Sequence, residues 1–246
     1  MALPGIAIGE GITIGAGISF GTASAPSGLT PALSLDAGNP ASYPGSGTTW
    51  TDTVGSIPFT LVNGPTYSSG NGGYLQFNPG SGQYGYSTTN LGTLATWSIE
   101  AWHYYDGTNT SAGPNIFTEY QYGGGTINLG LGCGGGSDTD LQTWWYGGGF
   151  HATPSGYSLT PGAWYQIVGT FDGTTLKLYV NNTLVQTATE PPGGAANPAI
   201  GYGLMTRWDP GGLWGGRLAI LNLYNTDIGT GGVTTSWNTN RSRFGL

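Results

Sequence analysis

The sequence predicts an all-β protein built from antiparallel sheets and preceded by an extended arm, and four observations carry that expectation. Residues Trp164 to Thr187 alternate apolar and polar side chains in three short runs, Trp164–Val168, Leu176–Val180 and Leu184–Thr187, which is the period-two signature of half-buried strands. The turns between them suit a meander: Asp172-Gly173 supplies a residue tolerant of positive φ, and Asn181-Asn182 is the next best hairpin pair. Long helical patterns are absent, because the 246 residues include 48 Gly and 15 Pro that interrupt nearly every window of eight. Finally, the first 23 residues form a repeat unlike anything that follows.

That repeat reads IAIGEG, ITIGAG and ISFGTA over residues 6–11, 12–17 and 18–23. Ile6, Ile8, Ile12, Ile14, Ile18 and Phe20 fall at the first and third places of each unit and share one face of an extended chain, with glycine at the fourth place. Such a segment spans at most about 60 Å and has no partner for its backbone groups when alone. It reads either as a flexible Gly-rich tail or as an assembly arm, residues 1–23, that pairs with copies of itself or docks on a larger particle. Regular Ile spacing, which a mere spacer does not need, favours the arm. Residues 24–32 read as a linker, and residues 33–246 as one core domain, a length that all-β sandwiches reach without dividing.

Composition excludes several classes. A net charge of −7 with five basic residues argues against nucleic acid, since phosphate binding needs clustered Lys and Arg and only Arg241 and Arg243 lie close together. No apolar run approaches the roughly 20 residues of a membrane span, and the N-terminus lacks the basic start and apolar stretch of an ordinary cleaved signal. Cys133, the single cysteine, is expected in a Gly-rich loop and makes no intrachain disulfide. Apolar residues are only 37% of the chain, but 13% are aromatic and bury large areas each.

From Leu33 onward the blocks SLDAGNPASYPGSGTTWTDTVGS, FTLVNGPTY, GGYLQFN, Trp97-Ser98-Ile99-Glu100-Ala101-Trp102, the FDGTTLKLYVNN hairpin, GGRLAILNLYNTDI and the closing SRFGL resemble the laminin-G-like, concanavalin A-like jelly-roll domains of bacteriophage and other viral structural proteins. The resemblance covers roughly residues 33–246. It implies two stacked antiparallel sheets, with the first strand near Leu33 beside the last near Leu218 to Tyr224. Related domains often carry a short helix after the last strand, which GTGGVTTSWNTN, rich in Gly and Thr, makes doubtful here.

Three kinds of chemistry are compatible with a jelly-roll domain. Glycoside hydrolysis needs two carboxylates about 5 to 10 Å apart, and hydrolases of this fold carry them at alternate positions of one strand. No such strand exists: Glu100 has no acidic neighbour at ±2, Asp138-Thr-Asp140 reads as a loop, and His103 and His151 stand on separate strands without a nucleophile. A non-enzyme is expected. The resemblance also implies a Ca²⁺ site at the sandwich rim, for which Asp138 and Asp140 are the candidates with Asp106 or Asp209 to complete the shell, although Asp is equally a turn residue. No other cofactor is expected, and zinc lacks ligands. For glycan binding, exposed rings are wanted. Trp144, Trp145 and Tyr146 are the leading cluster, because Trp144 and Tyr146 share one strand face and Trp145 takes the other, with Tyr120, Tyr122 and Trp208 as rim candidates.

The functional expectation joins arm and domain: a non-enzymatic virion structural protein of a tailed phage, on the particle surface, attached or oligomerised through the arm and displaying the jelly roll. Capsid decoration, head fibre and tail fibre all fit. Its expected partners are other virion proteins or copies of itself. The alternative is a carbohydrate-binding, receptor-recognition module directed at host-surface glycan.

Overall fold

The computed structural model describes residues 29–109, 113–120, 127–133, 140–146, 150–152, 155–189, 201–207 and 212–246. The hexad residues Ile6, Ile8, Ile12, Ile14, Ile18 and Phe20, and the site candidates Tyr122, Asp138 and Trp208, lie outside the described residues. In chain order the strands are β1 (Leu33–Asp36), β2 (Thr49–Thr51), β3 (Pro58–Val62), β4 (Thr66–Ser68), β5 (Tyr74–Phe77), β6 (Tyr84–Ser87), β7 (Trp97–Tyr105) and β8 (Asn115–Tyr120). They continue as β9 (Ile127–Cys133), β10 (Leu141–Tyr146), β11 (Phe150–Ala152), β12 (Ala163–Phe171), β13 (Thr175–Val180), β14 (Thr183–Thr189), β15 (Gly201–Leu204) and β16 (Gly216–Tyr224). A helix α1 (Gly229–Asn240) and a 3₁₀ turn (Arg241–Phe244) close the chain.

These strands form two eight-stranded antiparallel sheets. The first runs β14-β13-β12-β7-β16-β5-β4 with β1 also paired to β16, and the second runs β11-β10-β9-β8-β15-β6-β3-β2. The meander forms as read: β12, β13 and β14 are successive neighbours, Gly173 has φ 101°, and the two-residue loop Asn181-Asn182 has φ 48° and 62°, the doubly left-handed turn that matches strand twist. Leu33 of β1 lies opposite Leu223 of β16, which joins the beginning of the domain to its end.

The core fills the space between the sheets. Leu75, Phe77, Ile99, Ala101, Ile167, Phe171 and Leu218 of the first sheet meet Phe59, Leu61, Phe117, Leu131, Trp145 and Tyr202 of the second in one buried cluster. Trp145 stacks on Phe171 across the gap, ring centroids 4.9 Å apart. Cys133 ends strand β9 and is buried, not placed in a loop, because its side chain joins the same core.

Helix α1 corrects the sequence expectation. Its residues have poor intrinsic helix propensity, yet tertiary contacts outweigh that cost. Gly232 packs on Ile228, Val233 is fully buried, and the Ser236 hydroxyl donates to Glu100 Oε1 on the outer face of the first sheet. Small residues at 232 and 236, one turn apart, let the helix lie close to the strands. The Asp227 carboxylate accepts from Gly229 N at 2.8 Å, and Ser98 Oγ accepts from Ile228 N at 3.0 Å, which satisfies free N–H groups at the helix start.

Candidate functional site

Because the inner faces are filled by core, a ligand has to use an outer face or a rim. Helix α1 and the 3₁₀ turn cover one part of the outer face of the first sheet. Under α1, Glu100 is 0% exposed and gathers donors on both oxygens: Trp102 Nε1 at 2.9 Å, Gln166 Nε2 at 3.0 Å and Ser236 on Oε1, Asn222 Nδ2 at 3.0 Å and the Tyr224 hydroxyl at 3.2 Å on Oε2. Burial first, and the charge of Glu100 second, push the Tyr224 phenol well above its ordinary range. This cluster holds the helix and does not reach solvent.

Beside it, among the described residues, the same face carries half-buried side chains. Strand register aligns Thr66, Gln76, Arg217, Tyr104 and Trp164 as direct cross-strand neighbours on β4, β5, β16, β7 and β12. A bulge between Leu218 and Ile220 breaks the alternation of β16, so that Leu218 and Leu221 both face the core while Arg217 points outward with Gln76 and Tyr104. Tyr74, one pleat along β5 from Gln76, joins the group. The Arg217 guanidinium carbon stands 4.3 Å from the Tyr104 ring centroid and 4.9 Å from that of Tyr74, within cation–π range of both.

A relay of polar groups orients that arginine. Arg217 Nε donates to Gln76 Oε1 at 3.2 Å, and Gln76 Nε2 donates to Asp106 Oδ2 at 3.1 Å. The other oxygen of Asp106 accepts from Thr108 N and Oγ1 at 2.9 and 2.5 Å. The aromatic floor is equally constrained. Trp164 meets Tyr74 and Tyr104 edge-on at 5.9 and 5.7 Å and packs on Phe244 at 4.6 Å, and Phe244 stacks on Trp102 at 4.7 Å. Tyr74, Gln76, Tyr104, Asp106 and Arg217 are all half-buried. Rings, a guanidinium, an amide and a carboxylate on rigid strands suit a polar ligand that also has apolar faces.

The glycan candidates named from the sequence fare differently. Trp144 and Trp145 do occupy opposite faces of β10, but they are only 2% and 5% exposed, so neither offers a ring to a sugar. Trp145 belongs to the core, and the Trp144 indole lies across Gly130, its cross-strand neighbour, where the missing side chain lets the ring lie against the sheet. Tyr146 is in β10, with its side chain outside the described residues, as is that of Tyr120. Asp140 Oδ1 accepts from Gly156 N at 2.9 Å and Ser155 Oγ at 3.1 Å, which closes a turn. Among the described residues no group of three His, Cys, Asp or Glu is placed to hold a metal ion, and no helix is long and apolar enough to cross a membrane.

The open row was missed by sequence reading. Its members come from five strands, and their only local signal is the outward phase of Tyr104 in β7, of Tyr74 and Gln76 in β5 and of Trp164 in β12. The described carboxylates otherwise have structural work: Asp36 pairs with Arg243 at 2.9 Å, and Asp52 accepts from the backbone of Ser34, Val54 and Gly55 at 2.7, 3.0 and 2.7 Å. His103 is 0% exposed inside the sandwich, edge-on to Trp214, and burial lowers its pKa to about 3, against smaller opposing effects of Asp106 and the Arg217 backbone.

Two antiparallel sheets stacked on one core define a β-sandwich of the jelly-roll type. Residues 69–229 match the Laminin_G_3 family, described as the Concanavalin A-like lectin/glucanases superfamily, and the chain belongs to that family. No curated protein matches the sequence significantly. Among solved structures the chain is similar to domain 4 of AbnA, a GH43 extracellular arabinanase from Geobacillus stearothermophilus in complex with arabinotriose, with TM-score 0.64 and 17% identity over 85% of this chain and 98% of that one. It is also similar to the binding domain of Paraclostridial Mosquitocidal Protein 1, with TM-score 0.62, 14% identity, and 85% and 52% of the two chains covered. A third likeness is to Trypanosoma rangeli sialidase, with TM-score 0.59, 14% identity, and 83% and 32% covered. This chain thus spans about half of the toxin fragment and a third of the sialidase. At these identities the likeness concerns the fold.

Proposed function

We propose that this protein is a non-enzymatic glycan-binding module whose site is the open row around Arg217. The observation that carries the reading is the juxtaposition of Tyr74, Tyr104, Gln76, Asp106 and Arg217 on a constrained, solvent-facing sheet. Aromatic rings pack against sugar C–H faces, while guanidinium, amide and carboxylate groups pair with hydroxyls. The arabinotriose complex of a domain with the same fold is consistent with this use of the scaffold. The non-enzymatic part is supported by the engagement of Asp36, Asp52, Glu100, Asp140, Asp172 and Asp227 in structural hydrogen bonds, whereas glycoside hydrolysis calls on a pair of carboxylates facing the substrate. No cofactor enters this reading.

A second reading is joined to the first by the hexad repeat at residues 6–23. In it the module is displayed on the virion of a tailed phage, as a capsid decoration, head fibre or tail fibre component. The N-terminal arm attaches it to other virion proteins or to copies of itself. Many copies on one particle raise a weak single-site affinity by tethering.

The test applies the full-length protein, monomeric and assembled, to a panel of host-surface glycans beside the variants Arg217→Ala and Tyr104→Ala. Binding that falls in both variants, without release of reducing ends, supports the module. Released reducing ends overturn the non-enzymatic assignment, and binding insensitive to both variants removes the site. Electron cryo-microscopy of purified particles locates the protein; its absence from them overturns the virion reading.

A further inference from the structure

Resting on the glycan-binding reading, we infer that the ligand at this row is an acidic saccharide, a sugar bearing a carboxylate, whose two oxygens take the free edge of the Arg217 guanidinium. The basis is what Arg217 lacks. Of the five basic residues, Arg243 is bound on both terminal nitrogens to Asp36 and also donates to the carbonyls of Asn71, Gly72 and Gly73, and Lys177 lies near the Asp172 carboxylate. Arg217 is restrained differently, by two tyrosine rings and one hydrogen bond from Nε to Gln76. Yet among the described residues its terminal nitrogens have no hydrogen-bond partner and no carboxylate in ion-pair reach.

Ordering an arginine has a substantial entropic cost, and here no ion pair offsets it. What the arrangement leaves is the terminal edge of a planar guanidinium, with parallel N–H donors, on a side chain restrained by two rings and a hydrogen bond. A carboxylate matches that edge with two parallel hydrogen bonds; a sugar hydroxyl matches only one of them. The neighbouring Asp106 does not neutralise the guanidinium directly, because Gln76 stands between them, accepting from Arg217 and donating to Asp106. The two tyrosine hydroxyls and the rings around the edge then receive the rest of a pyranose, which selects a saccharide over a simple organic acid.

The experiment measures calorimetric binding of the full chain to trigalacturonic acid and to sialyllactose, each beside its uncharged counterpart, the methyl ester and lactose, at low and high salt. A carboxylated probe is expected to bind about tenfold tighter than its counterpart, the worth of one charge-assisted pair, with the preference shrinking at high salt. Arg217→Lys keeps the charge but loses the fork, and is expected to lose most of that preference. Gln76→Glu leaves Arg217 in place and gives it an internal carboxylate, so it is expected to abolish the preference while thermal melting shows an intact fold. Equal binding of acid and ester, or a preference that survives both variants, overturns the inference while leaving the glycan reading standing. Equal binding of a sulfated neutral trisaccharide overturns the carboxylate assignment alone. Failure of all these probes, and of the wider glycan panel, overturns the inference and the module together.

Discussion

The Ser236 hydroxyl of helix α1 donates to Glu100 Oε1 of strand β7, 136 residues away in the chain, and this bond lies at the centre of a five-donor cluster on a fully buried carboxylate. Removing the hydroxyl in Ser236→Ala is expected to cost about 2 kcal/mol, the range for a hydrogen bond to a charged group. Glu100→Ala leaves Trp102, Gln166, Asn222, Tyr224 and Ser236 without their acceptor and is expected to cost about 4 kcal/mol. Urea unfolding gives both values. Faster amide exchange of residues 233–240 in each variant, at unchanged exchange of β9, is the accompanying sign that α1 has loosened.

His103 makes stability depend on pH. Its folded pKa is lowered from 6.5 to about 3 by burial, so between those values the unfolded chain binds a proton that the folded chain refuses. Stability is therefore complete above 6.5 and falls as pH drops through that window, by about 1.4 kcal/mol per unit. In His103→Phe this part of the slope is expected to vanish. Urea midpoints from pH 7.5 down to about 4.5, compared for the two proteins, check it; parallel curves mean that His103 is solvated or protonated inside the sandwich.

The turn at Asp172-Gly173 supports two graded substitutions. Gly173→Val places a β-branched residue at φ 101° and is expected to cost about 2 kcal/mol or more. Asp172→Ala removes an acceptor for Thr174 N, Thr174 Oγ1 and Thr175 N at 2.9, 2.9 and 2.8 Å and is expected to cost about 1 kcal/mol. Burial pushes the Asp172 carboxyl up, but those bonds and the charge of Lys177 outweigh it and hold it below its ordinary 3.8. Its contribution is thus present above that value and lost as pH falls through the lower folded one. The difference between wild type and Asp172→Ala is expected to be full at neutral pH and to shrink below about pH 4.

Deleting residues 1–23 is expected to leave the melting temperature of the sandwich within about 2 °C while abolishing attachment or self-association. The six apolar hexad side chains share neither the alternation nor the turn chemistry of the domain. Sedimentation and particle incorporation of the truncated protein check this, and full incorporation overturns the assembly role.

Gly169 of β12 faces Thr143 of β10 across the sandwich so closely that an added Cβ overlaps the threonine side chain. Gly169→Ala is expected to cost about 1–3 kcal/mol by overpacking, and Thr143→Gly in the same chain to recover part of that loss. A double-mutant cycle measures the recovery, and simple additivity means that the two sheets separate to accommodate the methyl.

Local alternation and turn chemistry were enough to determine the all-β class, the β12–β14 meander with its two turns, and the opposite facing of Trp144 and Trp145, because side-chain phase along a strand and the φ demanded of a turn residue are properties of adjacent residues. Whether a face is covered is not such a property. Alternation sets Trp144 and Trp145 on opposite faces, but only the packing buries both, Trp144 against a glycine brought alongside from β9. Helix α1 forms from residues that would not hold a helix alone, because Glu100 and the first sheet supply what Gly229, Gly231 and Gly232 lack. The Arg217 row depends on register among β4, β5, β7, β12 and β16 and on the bulge after Leu218. Contacts between residues so distant in the chain leave no periodic trace in it, and only the assembled sheet brings them side by side.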